Sequence, residues 1–121
     1  MNPIKLTITE PVSIKPGATG LIKVKEEITV PQNAVGKFFI RLSLGKLGLI
    51  PSDSPFRPGW TGVPEGIVVT NAGSNLVEIP AGRELGEIYM LALAMTQEDV
   101  TEALLDNLDK HKHLGLQKKQ S

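Results

Sequence analysis

Apolar and polar positions alternate near the start of the chain, where Ile4, Leu6 and Ile8 interleave with Lys5, Thr7 and Thr9. A period of two puts one set of side chains on a single face, so the pattern predicts a half-buried β-strand that ends before Pro11. Val12 to Ile14 is a second short run, closed by Lys15-Pro16-Gly17. Proline presets φ for the first central position of a turn and glycine supplies positive φ at the second, so a type II turn is predicted there. Leu21 to Val24 alternates again, Ile28-Thr29-Val30 follows, and Pro31-Gln32-Asn33 turns the chain into a run from Val35 to Leu44. Ile67 to Thr70, Leu76 to Ile79 and Glu87 to Ala94 complete the predicted strands, with turns at Asn71-Ala72-Gly73-Ser74 and Pro80-Ala81-Gly82 between them.

Two segments depart from this rhythm. From Gly45 to Gly66 the chain is rich in Gly, Pro, Ser and Asp around a lone Trp60, which predicts a long ordered loop of the kind that often carries function. Thr96 is placed as an N-cap, Gln97, Glu98 and Asp99 fill a first turn, and Val100, Ala103, Leu104 and Leu108 recur at helical spacing. The expected organisation is a β domain over residues 1–95, one C-terminal α-helix over 96–112 packed on that domain, and a flexible tail over 113–121. The expected fold class is all-β with that single helix.

Composition narrows the function classes. A chain of 121 residues is the size of one domain. Thirteen basic against thirteen acidic side chains leave no net charge, so a general nucleic-acid binder, which needs clustered Lys and Arg, is not expected. No apolar run approaches the ~20 residues that span a bilayer, and Met1-Asn2-Pro3-Ile4-Lys5 lacks the regions of a signal peptide. The expectation is a cytoplasmic protein with no membrane partner. With no Cys, disulfides and thiolate metal sites are excluded; His111 and His113, two apart on a helix end, cannot share one face as metal ligands.

The middle of the chain carries a specific string. Arg41-Leu42-Ser43-Leu44-Gly45-Lys46-Leu47-Gly48-Leu49 resembles the Arg-Ser-Ser-Leu-Gly-Arg-Leu-Gly-Leu signature of dCTP deaminases, which dUTPases share in a looser form. Pro16-Gly17 ahead of Thr19 to Val24, and Glu27-Ile28-Thr29-Val30-Pro31, are similar to that superfamily's turn and following strands. Pro58-Gly59-Trp60-Thr61-Gly62, Thr70-Asn71-Ala72-Gly73 and the stretch from Pro80 to Glu87 resemble its later motifs in the same order. The likeness runs from roughly Val12 to Leu93. It implies a β-clip, dUTPase-like distorted barrel assembled as a homotrimer, with nucleotide sites shared between subunits and a deoxynucleotide as ligand. In that reading Arg41, Ser43, Lys46 and Arg83 form the phosphate or anion site. Arg41 offers a planar fork, Ser43 a hydroxyl and Lys46 a point charge. Trp60 is a candidate for stacking on a base or at a subunit interface.

Departures from the family pattern fall where its chemistry lies. Leu42 replaces a hydroxyl donor of the signature, and Arg57 replaces the loop Asp that accepts a sugar hydroxyl. Counting back from Asn71 puts Val68 at the position of the deaminase's acid-base Glu, and a valine moves no proton. Glu65, three residues earlier, is a catalytic candidate only if a bulge re-aims it. No acidic residue in the first strand is placed to activate water as dUTPases require, and Glu87 replaces a Gln near the triphosphate. The preferred expectation is a non-catalytic homotrimer. It acts as a nucleotide- or anion-binding regulator, or as a structural component such as a viral surface or capsid-decorating protein attached to a larger protein assembly in the virion. The rival is an active dUTP pyrophosphatase or dCTP deaminase, which would need Mg²⁺ only in the pyrophosphatase case.

Overall fold

The computed structural model describes residues 3–94 together with Leu104 and Leu105. Those two leucines are helical and exposed. The rest of the predicted helix over 96–112, and the tail over 113–121, lie outside the described residues.

The strands are β1 (Ile4–Thr7), β2 (Val12–Ile14), β3 (Thr19–Ile22), β4 (Ile28–Thr29), β5 (Ala34–Ile40), β6 (Leu49–Pro51), β7 (Thr61–Gly62), β8 (Ile67–Asn71), β9 (Val77–Ile79) and β10 (Glu84–Ala92). One short helix, α1 (Leu42–Gly45), follows β5. The strands form small antiparallel sheets in the orders β1-β10-β5, β2-β9, β3-β8-β6 and β4-β7. This is the mostly-β architecture expected from the pattern. No helix among the described residues is long and apolar enough to cross a membrane.

The period-two reading holds where alternation is cleanest. Leu6 and Ile8 are buried, as are Ile22, Ile67, Val69, Val77 and Ile79, while Lys5 and Val68 between such positions face outward. Each fully buried Leu or Ile contributes roughly 1.5–3 kcal/mol, so this one cluster supplies most of the driving force. The predicted type II turn is present at Pro16-Gly17: Gly17 has φ of 79°, and the Ala18 N–H donates to the Lys15 carbonyl at 3.0 Å.

Two corrections concern the central region. The run predicted as one strand to Leu44 stops at Ile40 and becomes α1. Arg41 is still extended (φ −60°, ψ 135°), and its carbonyl then accepts from the amides of Leu44 and Gly45, each at 3.0 Å. The turn swings Leu44 into the core, where it is 1% exposed, and leaves Leu42 in solvent. The segment read as a loop from Gly45 to Gly66 contains β6 and β7. It is also tied to β5 by reciprocal backbone bonds between Gly36 and Phe56, at 2.9 and 2.8 Å. The last strand begins at Glu84 rather than Glu87, with a bulge where β1 pairing shifts between Leu6 and Thr7.

Candidate functional site

The site expected around Arg41 is built at the seam where β5 passes into α1 beside the start of β10. Ile40 pairs with Gly86, and the Arg41 amide continues the ladder by donating to the Leu85 carbonyl at 3.0 Å. An added Cβ at Gly86 would lie 2.2 Å from the Phe39 carbonyl oxygen, so only glycine permits this approach. Strand pairing thus fixes the backbones that carry Arg41 and Glu84.

Two side-chain contacts cross the seam. The Arg41 guanidinium donates through Nη1 to Glu84 Oε2 in an ion pair. Arg83 Nη2 donates to Ser43 Oγ at 3.1 Å. Because Ser43 accepts there, its own hydroxyl proton stays available to an incoming acceptor. The second carboxylate oxygen of Glu84, Oε1, is buried without a hydrogen-bond partner among the described residues. A cleft of about 230 Å³ lies alongside, lined by Arg41, Leu42, Glu84 and Glu87 with the rings of Phe39 and Tyr89. Those rings meet edge to face, with centroids 5.5 Å apart. Glu87 holds the Tyr89 phenol above its ordinary pKa, first by hydrogen bonding and then by its charge.

The other sequence candidates lie elsewhere. Lys46 caps the far end of α1 and borders a separate hollow with Gly48, Gly73 and Glu78, so it does not join the Arg41 cleft. Trp60 is partly buried and packs on Phe56, with centroids 5.1 Å apart, against the edge of the core. Glu65 is exposed in a bend before β8. The register of β8 against β3 and β6 is unbroken, so the bulge that would re-aim Glu65 does not occur within that ladder. Val68 faces outward, 41% exposed, directly opposite Leu21 of β3. Among the described residues no group of three His, Cys, Asp or Glu side chains could hold a metal ion.

Glu84 is the site residue that sequence reading missed. Its partner Arg41 is 43 positions away, and only the β5–β10 register brings the two together. A second conspicuous residue, Asn71, holds the scaffold. It is fully buried, donates to the carbonyls of Ile14 (2.9 Å) and Asn75 (2.8 Å), and accepts from the Gly73 amide at 2.9 Å. All its side-chain donors are used, which explains an Asn in the Thr70-Asn71-Ala72-Gly73 string.

Comparison with known proteins fits this architecture. The model of the dCTP deaminase-like family matches residues 1–100. The chain belongs to that family. A dCTP deaminase of Thermococcus kodakarensis is 30% identical over 108 residues, covering 89% of this chain and 67% of that protein. A dCTP deaminase of Buchnera aphidicola is 46% identical over 55 residues, covering 44% of this chain and 28% of that protein. The family member described here therefore spans between 28% and 67% of these relatives' length. Among solved structures, the native EIAV dUTPase superposes with a TM-score of 0.70 at 22% identity, covering 78% of each chain. A variant of the dUTPase of Staphylococcus bacteriophage 80alpha, solved with dUpNHpp, gives 0.69 at 14% identity, covering 80% of this chain and 73% of that one. These likenesses establish the dUTPase-like β fold.

Proposed function

We propose that this dCTP deaminase-like chain is a homotrimeric nucleotide- or anion-binding protein that performs neither deamination nor pyrophosphate release. The observation that carries the reading is Val68. It stands where the family pattern has its proton-transferring Glu, and its side chain is half-exposed opposite Leu21. Deamination needs a group that carries a proton between water and the base, and neither an alkyl side chain nor Glu65 in its exposed bend supports that step.

Binding is supported by what the seam retains: Arg41, with Arg83 and Ser43 already 3.1 Å apart. An anion reaching this seam meets two guanidinium forks and one hydroxyl donor, the chemistry that recognises phosphate. Self-association is supported by apolar side chains exposed on an outer sheet face, Leu21, Ile50 and Val68. The deciding experiment incubates the full chain with dCTP and dUTP, with and without Mg²⁺, and assays deaminated base and pyrophosphate while calorimetry follows binding. The expected result is saturable binding, lost in Arg41→Ala, without turnover. Turnover would overturn the reading, and a complete absence of binding would leave a purely structural trimer, as in a capsid-associated assembly.

A further inference from the structure

The anion site is not simply open, because its leading arginine is already engaged. Arg41 is half exposed at 52%, whereas its partner Glu84 is 20% exposed and keeps one oxygen buried without a donor among the described residues. The carboxylate is the fixed member of the pair, and the arginine is the one free to swing. The cleft lining sets one basic side chain, Arg41, against two acidic ones, Glu84 and Glu87. A ligand that uses the Arg41 fork must share it with Glu84, which already holds Nη1, and lies beside both carboxylates.

We propose that Glu84 sets the charge class of the Arg41 cleft, turning away polyphosphates and leaving it to ligands of low negative charge such as nucleosides and nucleoside monophosphates. The inference rests on the anion-binding reading above and deepens it. A triphosphate chain brings several negative charges into the field of Glu84 and Glu87. Attraction and repulsion both grow with every added phosphate, but the cleft lining sets two carboxylates against one guanidinium that Glu84 already pairs, so each added charge is a net cost. A single phosphate can be held by the Arg83–Ser43 pair, which is not part of the cleft lining. The aromatic rings of Phe39 and Tyr89 on the cleft wall suit a planar base more than a chain of phosphates.

The test is Glu84→Gln, which keeps size and an oxygen acceptor for Arg41 but removes the charge. Wild type, E84Q and the double variant R41A/E84Q are titrated at low salt with dUMP, dUTP and inorganic tripolyphosphate. The expected result is that E84Q raises affinity for dUTP and tripolyphosphate by about tenfold or more, with a smaller gain for dUMP. The double variant should lose that gain. If E84Q does not fold, as judged by circular dichroism, Glu84→Ala takes its place. An unchanged ratio of triphosphate to monophosphate affinity in a protein that binds both would overturn the assignment of Glu84 alone. Absence of binding of every ligand to both wild type and E84Q would bring down the anion site itself, and this inference with it.

Discussion

Tyr89 is the only tyrosine in the chain, so its titration can be followed without interference. Its pKa is raised because Glu87 hydrogen-bonds to the phenol and repels the charge that deprotonation would create. The phenol is charged only when it loses its proton, so the unfolded chain gives up that proton first as pH rises. The contribution to stability is fully present below the unfolded value of about 10 and is lost as pH climbs through the folded value. The expected native midpoint, read from tyrosinate absorbance, lies above that of the denatured chain, and Glu87→Gln should bring it down. An unmoved midpoint in E87Q would mean that another group sets it. Residue by residue, legibility followed locality. Arg41 and Ser43 could be singled out because they share a nine-residue string, whereas Glu84 reaches the site only through strand pairing and has no local signature.

At the scale of elements, two glycines separate the cost of conformation from the cost of contact. Gly17 and Gly48 both have positive φ, 79° and 99°. A Cβ at Gly17 would meet nothing within 4 Å, but one at Gly48 would lie 2.6 Å from the Gly73 amide nitrogen, against backbone that cannot rotate away. Gly17→Ala should therefore cost only the left-handed penalty, about 1 kcal/mol. Gly48→Ala should cost that plus the displacement of the segment around Gly73, about 3 kcal/mol or more. Urea unfolding of both variants compares the losses, and equal values would show that the α1–β6 connection yields without strain. The same contrast explains which elements could be read in advance. β1, β8 and β9 alternate cleanly because one face is buried, and Pro16-Gly17 announces its turn by chemistry. In contrast, α1 is a turn imposed by burial of Leu44, and β6 and β7 are too short, at three and two residues, to show a period. Their pairing partners are distant in sequence, so no local pattern marks them.

The whole molecule carries apolar surface that a single copy leaves in water. On the outer face of the β3-β8-β6 sheet, Leu21 is 48%, Ile50 57% and Val68 41% exposed, with Thr19 and Thr70 joined through their hydroxyls at 3.0 Å. These residues come from three strands in fixed register, so they form one continuous patch. Covering it with further copies of the same face would remove three large side chains per protomer from water. A carboxylate placed there would be cheap in the single copy but would be desolvated in the assembly, at a cost of several kcal/mol per buried charge. Val68→Glu should consequently preserve the circular dichroism spectrum of the β domain while shifting light-scattering mass from trimer toward monomer. Leu21→Ser, which trims the patch without adding charge, should weaken assembly less. A wild-type monomer at all concentrations would remove the basis for a shared site. A V68E protein that stays trimeric would move the interface to another surface, with the exposed Phe39, Tyr89 and Leu91 side chains of β5 and β10 as the next apolar patch to test.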